Sequence, residues 1–400
     1  MISVKEALAI IAENCPQYGV VSCDLNQALG RVLAGDVRAA LTVPPFHASA
    51  MDGYAVKFSE AQKGARLTVM GESKAGQGFD GVVTKGSAVR IFTGAPLPKG
   101  ADHVVIQEDV SRSESHIIIE CVQTQPRHIR KAGIDFSKGD IIIRSGTRLT
   151  PRHIAMAAAA NHNELTVQNR PKVAIIASGD ELREAGSALK SHEIVNSNGP
   201  ALFALITEWG GDAMALPIAA DTTESICALI GQAKEADIIV AIGGASVGDY
   251  DVMKTAFAEA GYIPKFSKVA VKPGKPTWFG TLGSQCVLGL PGNPASAYVC
   301  AHLFLKLLIC PGYQHKFIQA SLTQDLRANG PRETYLRAEA FIENGQVKVT
   351  PFPRQDSSLI SPLSRANVLI KMPANDGPWS EYEIVDILPF GNNLLSFLRI

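Results

Sequence analysis

The stretch Ala236–Lys254, ADIIVAIGGASVGDYDVMK, decides the fold. Asp237 to Ile242 is a short apolar run rich in Ile and Val, the composition of a strand covered on both faces in a parallel sheet. Gly243 and Gly244 end it. From Asp251 onward, Val252, Thr255, Ala256 and Phe257 recur at helical spacing up to Gly261, so GGASVGDYD joins the carboxyl end of a strand to the amino end of a helix. Open α/β sheets bind ligands at such junctions. Glycines let the backbone approach a ligand closely, and free N–H groups at a helix start attract anions. Asp249 and Asp251 add carboxylates at the same spot, an arrangement that suits a phosphate only with a divalent cation such as Mg2+ between them. A plainer reading stands beside this one: glycine pairs commonly follow strands, and Asp251 can be an ordinary N-cap.

Working outward, strand and helix alternate on both sides of this loop. Val173 to Ala177 is a buried-type strand followed by Ser178-Gly179-Asp180-Glu181. Pro200 to Trp209 reads as a helix, Met214 to Ala219 as a strand ending near Asp221, and Thr223 to Glu235 as a helix. Cys286 to Leu290 is one more strand, ending in Pro291-Gly292-Asn293-Pro294, with Asn293 as N-cap and Pro294 as first residue of a long helix to about Cys310. This alternation specifies a doubly wound, mostly parallel sheet. Its strand ends gather Asp180, Glu181, Asp221, Asp249 and Asp251 as carboxylates and Lys272 and Lys275 as cations. The 243–248 and 291–296 loops add backbone donors. Any one of these acids alone is more simply a turn or cap residue.

The flanking regions differ in texture. Residues 1–40 look helical, with Val4, Leu8 and Ile11 on one face and a second segment from Asp24 to Leu29 closed by Gly30. Between Lys57 and Gly146 short alternating strands with glycine punctuation form a β-rich lobe, preceded by the small-residue cluster SAMDGYAV. Arg127, Arg130 and Lys131 crowd one of its corners, where a solvated surface run is the commoner outcome than an oxyanion site. Thr150-Pro151 starts a helix that Asn161 closes. Beyond Pro311, RETYLRAEA, QVKVTPF, NVLIKMP and EIVDILP describe a small β-barrel or sandwich, with Arg332, Arg337 and Arg365 beside its strands. The expected divisions are 1–40 with 139–168, 41–138, 169–322 and 323–400.

Composition narrows the function. Lys plus Arg and Asp plus Glu are 38 each, which argues against a large nucleic-acid surface. Seven Cys show neither a C-x-x-C pair nor zinc spacing and include an odd member, which fits a reducing cytoplasm. The amino terminus is an amphipathic helix rather than a signal peptide, and no segment is long enough to span a bilayer. The P-loop and dinucleotide spacings are absent, as are H-E-x-x-H and G-x-S-x-G.

Taken in order, SAMDGYAV (49–56), FTGAPLPKGAD (92–102), the segment ending at Asp135, RPKVAIIASGDEL (170–182), IGGASVGDYD (242–251), VKPGKP (271–276) and LPGNPASA (290–297) resemble the MoeA family of molybdopterin molybdenumtransferases. Its eukaryotic relatives include gephyrin E domains. The resemblance runs essentially end to end; the glycine loop alone would not separate it from MogA-type adenylyltransferases, which share the α/β domain. It departs at His47-Ala48 and at Asp356-Ser357-Ser358, where the family usually has other residues. The resemblance implies Mg2+-dependent hydrolysis of adenylylated molybdopterin (molybdopterin-AMP), insertion of molybdate and release of AMP. It implies a homodimer whose site is shared between subunits, with a MogA-type adenylyltransferase and molybdoenzyme apoproteins as partners and neither nucleic acid nor membrane. The residues given by the resemblance together with the loop reading above are Asp52, Thr93, Asp135 and Asp251 for catalysis, and Glu181, Asp221, Asp249 and Asp251 for the metal, Asp249 from the loop reading. For the substrate they are Gly243, Gly244, Ser246, Gly248, Lys272, Lys275, Pro291, Gly292, Asn293, Pro294 and Ser296. A MogA-like adenylyltransferase and a non-catalytic gephyrin-type scaffold are the alternatives.

Overall fold

A computed structural model describes residues 1–243 and 252–391. The chain divides into two compact units, Gly19–Gln168 and Met1–Tyr18 with Asn169–Ile400.

In the larger unit the central sheet contains β1 (Lys172–Ala177), β2 (Asp212–Ala215), β3 (Ile238–Ile242), β4 (Ile263–Phe266), β5 (Trp278–Leu282) and β6 (Gln285–Leu290). Their order is β2-β1-β3-β6-β5-β4. The four strands β2, β1, β3 and β6 run parallel, and β5 and β4 form an antiparallel edge. Every residue of β3 is buried, as its unbroken apolar sequence requires of a central strand with helices on both faces. Alternate residues divide between two cores. Ile238, Val240 and Ile242 pack with Val4, Ala7 and Ile11 of the amino-terminal helix and with Leu202 and Leu205, while Ile239 and Ala241 pack with Ile226, Met253 and Phe257. Burying each such Ile or Val contributes ~1.5–3 kcal/mol relative to exposure.

Two edges of the sheet differ from the expected spans. The second strand is Asp212–Ala215 and only a bridge at Ala219 continues it, because Pro217 cannot donate to the ladder. The hairpin β4–β5 carries no apolar run; its Trp278 fits against Gly289, where a methyl group would lie 1.8 Å from the indole. The long helix runs Pro294–Cys300, passes through a π turn at Ala301–Leu305 and ends at Lys306–Ile309.

The carboxyl-terminal strands Ile318–Leu322, Glu333–Glu343, Gln346–Pro351, Val368–Met372 and Ile384–Pro389 close into a five-stranded barrel through the pairing of Glu333–Glu343 with Val368–Met372. Ala320, Ala338, Val349, Ile370 and Ile387 fill it. Val271–Lys272 pairs with Glu333 and Thr334 at the start of the long barrel strand, tying barrel to sheet.

In the smaller unit a six-stranded sheet orders as 103–106, 53–56, 87–91, 66–73, 116–119 and 110–112. Gly53 sits where a methyl group would be 2.1 Å from the carbonyl oxygen of Val105, so the Asp-Gly pair is required by strand contact rather than by a turn. Val20–Asp24, in the span read as helical, is a strand paired with Glu164–Gln168; of its residues only Cys23 is buried.

Two outcomes follow. Gly53→Ala is expected to lower the unfolding free energy of this unit by ~1–3 kcal/mol in denaturant titration, whereas Gly35→Ala, with open space around it, changes it by no more than ~0.5 kcal/mol. His302 is fully buried among Trp209, Tyr298 and Phe390, and burial, with Lys306 and His315 adding to it, holds its pKa well below 6.5. The unfolded chain therefore binds a proton that the folded one refuses, so the stability is present above about pH 6.5 and is lost as pH falls below it. Melting temperatures measured between about pH 5 and 8 should fall on the acid side, with a shallower decline in His302→Leu.

Candidate active site

The parallel strands deliver their carboxyl ends to one edge. Ser178 follows β1, its N–H donating to Ile242 O at 3.1 Å. Gly243 follows β3 with φ +99°, and a methyl group there would lie 2.5 Å from Ser178 O, so both conformation and closeness require glycine. Gly292, after β6, would place a methyl group 3.9 Å from the Gly243 Cα.

A cleft of about 590 Å3 opens above these ends. Glu181 and Asp221 line it on one side and Pro291, Gly292, Asn293 and Pro294 on the other. The Asp180 N–H donates to Asp221 Oδ2 (3.3 Å) and the Asp221 N–H to Asp180 Oδ1 (3.1 Å), clasping the two loops together. Asn198 Nδ2 donates to Gly292 O at 2.6 Å. Ile194 and Val195 form an apolar wall on a short ribbon paired with Leu182–Arg183. Glu193 braces that ribbon: it accepts from Arg183 Nη2 at 2.6 Å and from the Lys190 N–H at 2.8 Å, and the latter bond, with Arg183, holds its carboxyl below the usual range. Among the described residues no trio of His, Cys, Asp or Glu converges as a complete metal cage. Glu181 and Asp221 are hard oxygen donors in a cleft whose described lining residues include neither Cys nor His, which fits Mg2+, an ion held through one or two carboxylates plus substrate phosphates.

Pro276, Pro291 and Asn293 also line a second cleft of about 400 Å3, whose charge is opposite. Lys272, Lys275 and Arg332 bring three cations to it, with Ser296, Ser357 and Asp356. Asn293, at the N-cap position of the Pro294 helix, does not cap with its side chain; Nδ2 donates to Ser357 Oγ at 2.9 Å, and the Ala295 N–H donates to Ser357 O. Arg337 is buried and shapes this loop, donating to Asp356 O (2.9 Å), Leu359 O (3.0 Å) and Gln355 Oε1 (3.3 Å). Of the three barrel arginines, Arg332 thus lines a cleft, Arg337 positions a loop, and Arg365 stacks over Phe352.

In the smaller unit Asp52 Oδ1 accepts both the Thr93 N–H and Oγ1–H at 2.7 Å, and these bonds hold the Asp52 carboxyl below its ordinary range. Asp135 is exposed on the turn after Arg130, its N–H donating to Val43 O, and its carboxylate does not bond to the Asp52–Thr93 pair. Gly244, Ser246, Gly248, Asp249 and Asp251 lie outside the described residues. Sequence reasoning passed over Ser178 and Ser357 as site residues, and over the Asn196-Ser197-Asn198 run in front of a helix; the position of Ser178 at a strand end was the available signal.

Residues 2–161, 174–309 and 319–390 match, respectively, the families described as MoeA N-terminal region (domain I and II), probable molybdopterin binding domain, and MoeA C-terminal region (domain IV). A molybdopterin molybdenumtransferase of Haemophilus influenzae is 35% identical over 405 residues, covering 99% of this chain and 100% of that one. The chain belongs to the MoeA family. The molybdopterin molybdenumtransferase of a Staphylococcus epidermidis strain is 29% identical over 97% of this MoeA-family chain and 95% of its own length. The crystal structure of the molybdopterin biosynthesis MoeA protein from Pyrococcus horikoshii superposes with a TM-score of 0.85 at 29% identity, covering 98% of this chain and 100% of that one. A molybdenum cofactor biosynthesis protein from Pyrococcus furiosus shares the fold at 18% identity, with a TM-score of 0.60 over 98% of this chain and 100% of its own.

Removing the Thr93 hydroxyl tests the local electrostatics. Thr93→Val should raise the Asp52 pKa toward the ordinary carboxylate value, as read from its side-chain 13C shift against pH.

Proposed function

We propose that this MoeA-family chain is a molybdopterin molybdenumtransferase, acting in molybdenum cofactor biosynthesis by releasing AMP from adenylylated molybdopterin and inserting molybdate at the dithiolene. The observation that carries the reading is the pair of adjoining clefts of opposite charge, which share Pro276, Pro291 and Asn293. A phosphoanhydride and a tetrahedral oxyanion need different neighbours, and the two clefts supply them side by side.

In this reading Lys272, Lys275 and Arg332 hold molybdate by charge, with Ser296 as a neutral neighbour. Arg337 keeps the 355–359 loop in place beneath the oxyanion. Glu181 and Asp221, with Asp249 and Asp251, hold Mg2+. When bound, that ion supplies neutralisation of phosphoanhydride charge as a Lewis acid. Asp251 is assigned to orient the attacking water, Gly243, Gly244, Ser246 and Gly248 to bind the substrate, and the 291–294 loop to form part of the cleft wall. Asp52, Thr93 and Asp135 are assigned to catalysis as well. Asp52, held ionised by Thr93, offers a fixed negative charge and a hydrogen-bond acceptor rather than a strong base. The proposal includes a cytoplasmic homodimer in which these three residues serve the partner's site. It includes exchange with a MogA-type adenylyltransferase and with molybdoenzyme apoproteins. No helix among the described residues is long and apolar enough to cross a membrane.

Purified protein given molybdopterin-AMP and Mg2+ should release AMP faster with molybdate than without it, and the product should activate a molybdoenzyme apoprotein. AMP release indifferent to molybdate would favour an adenylyltransferase-like enzyme, and no release from folded protein would favour a scaffold. Lys275→Ala and Arg332→Ala should each raise the molybdate concentration giving half-maximal rate by ~10-fold or more, the effect of losing one charge-assisted contact. Asp221→Asn should slow AMP release by ~100-fold and leave molybdate dependence in place.

A further inference from the structure

Five polar side chains that share one property stand out among the described residues: His103, Ser178, Tyr262, His302 and His315 each bury a polar atom that has no hydrogen-bond partner. Such groups cost stability and call for an explanation. Of these, Ser178 lines the carboxylate cleft. His302 and Tyr262 instead sit in aromatic clusters of the core.

Ser178 is 4% exposed and is held on three sides. Its N–H is spent on Ile242 O, it bridges to Ala219 of the neighbouring strand, and its carbonyl oxygen faces the Cα of Gly243 so closely that no side chain fits there. A methyl group on Gly243 would also come within 3.4 Å of the Ser178 hydroxyl. The hydroxyl is therefore fixed between the strand that leads to Asp221 and the strand that ends at Gly243. Among the described residues neither Lys, nor Arg, nor His lines this cleft, while Glu181 and Asp221 do. An anionic oxygen entering it needs neutral donors to offset those carboxylates, and a hydroxyl with an unspent proton is such a donor.

We infer that Ser178 is a substrate-contacting residue whose Oγ–H donates to a phosphoryl oxygen of the adenylylated ligand, leaving the cations of the adjoining cleft for the other oxyanion. This rests on the function proposed above and adds a residue to it. The hydroxyl is preorganised at the expense of the empty protein, so its removal should affect the free and the bound forms in opposite directions.

The test uses full-length protein, Mg2+ and AMP as the probe, with affinity from isothermal titration and melting temperature from calorimetry without ligand. Ser178→Ala should weaken AMP binding ~10- to 100-fold, the loss of one hydrogen bond to a charged group, while its ligand-free melting temperature stays level or rises by a few degrees. Ser178→Thr, which keeps the hydroxyl, should bind AMP within ~3-fold of the parent. Unchanged AMP affinity in Ser178→Ala overturns the inference, as does weaker binding accompanied by a lowered ligand-free melting temperature, the result of a structural role. If the parent protein itself binds no AMP, the proposed function fails first and the role of Ser178 goes with it.

Discussion

Backbone crowding at the carboxyl edge of the parallel sheet is the constraint on which the rest of this structure depends. Strands β1, β3 and β6 lead into Ser178, Gly243 and Pro291-Gly292, and the approach of Gly243 to Ser178 O leaves 2.5 Å for a Cβ that does not exist. Parallel strands with helices on both faces can bury every side chain of their interior, as β3 does, only because their polar chemistry is pushed to the ends. The edge then carries glycines where chains touch and carboxylates where they diverge. The Asp180–Asp221 clasp is the divergent case: two loops from neighbouring strands separate far enough for side chains and immediately tie themselves together through backbone donors.

Charge is partitioned on this edge rather than blended. Lys272, Lys275 and Arg332 face one cleft and Glu181 and Asp221 the other, with prolines and Asn293 between. Mixing the two sets would form ion pairs and leave neither free for ligand, since charges in contact satisfy one another. The barrel makes the separation possible. Val271–Lys272 is at once the approach to the cationic turn and a short strand paired with Glu333–Thr334 of the barrel, and Asn293 reaches across to Ser357. Arg337, with its guanidinium spent on three loop acceptors, lends its charge to shape rather than to binding.

The larger unit spends stability in places where function gives no reason for it. His302 occupies a π turn against three aromatic rings, and its neutral form is what the core tolerates. Ser178 differs because it lines a cleft and its buried hydroxyl is unspent. The same physical cost, an unpartnered buried polar atom, thus reads as packing in one place and as preparation for a ligand in the other, and the surroundings distinguish them.

Much was legible in the residues alone. The apolar run Ile238–Ile242 declared a central parallel strand because only a doubly covered strand can be apolar throughout, and the Thr150-Pro151 start and Asn161 stop of a helix held because caps are local chemistry. The motifs also carried the family, since seven short segments in order are specific where one glycine loop is not. Contacts between distant segments decided the rest. Val20–Asp24 became a strand through pairing with Glu164–Gln168, the Asp-Gly pair at 52–53 answered to Val105 rather than to a turn, and the barrel closed through one pairing that no local pattern announces. Three similar arginines took three roles, and Asn293 gave its side chain to Ser357 instead of its own helix. Local chemistry sets what a residue is able to do; which partner stands within reach is set only when the chain closes on itself.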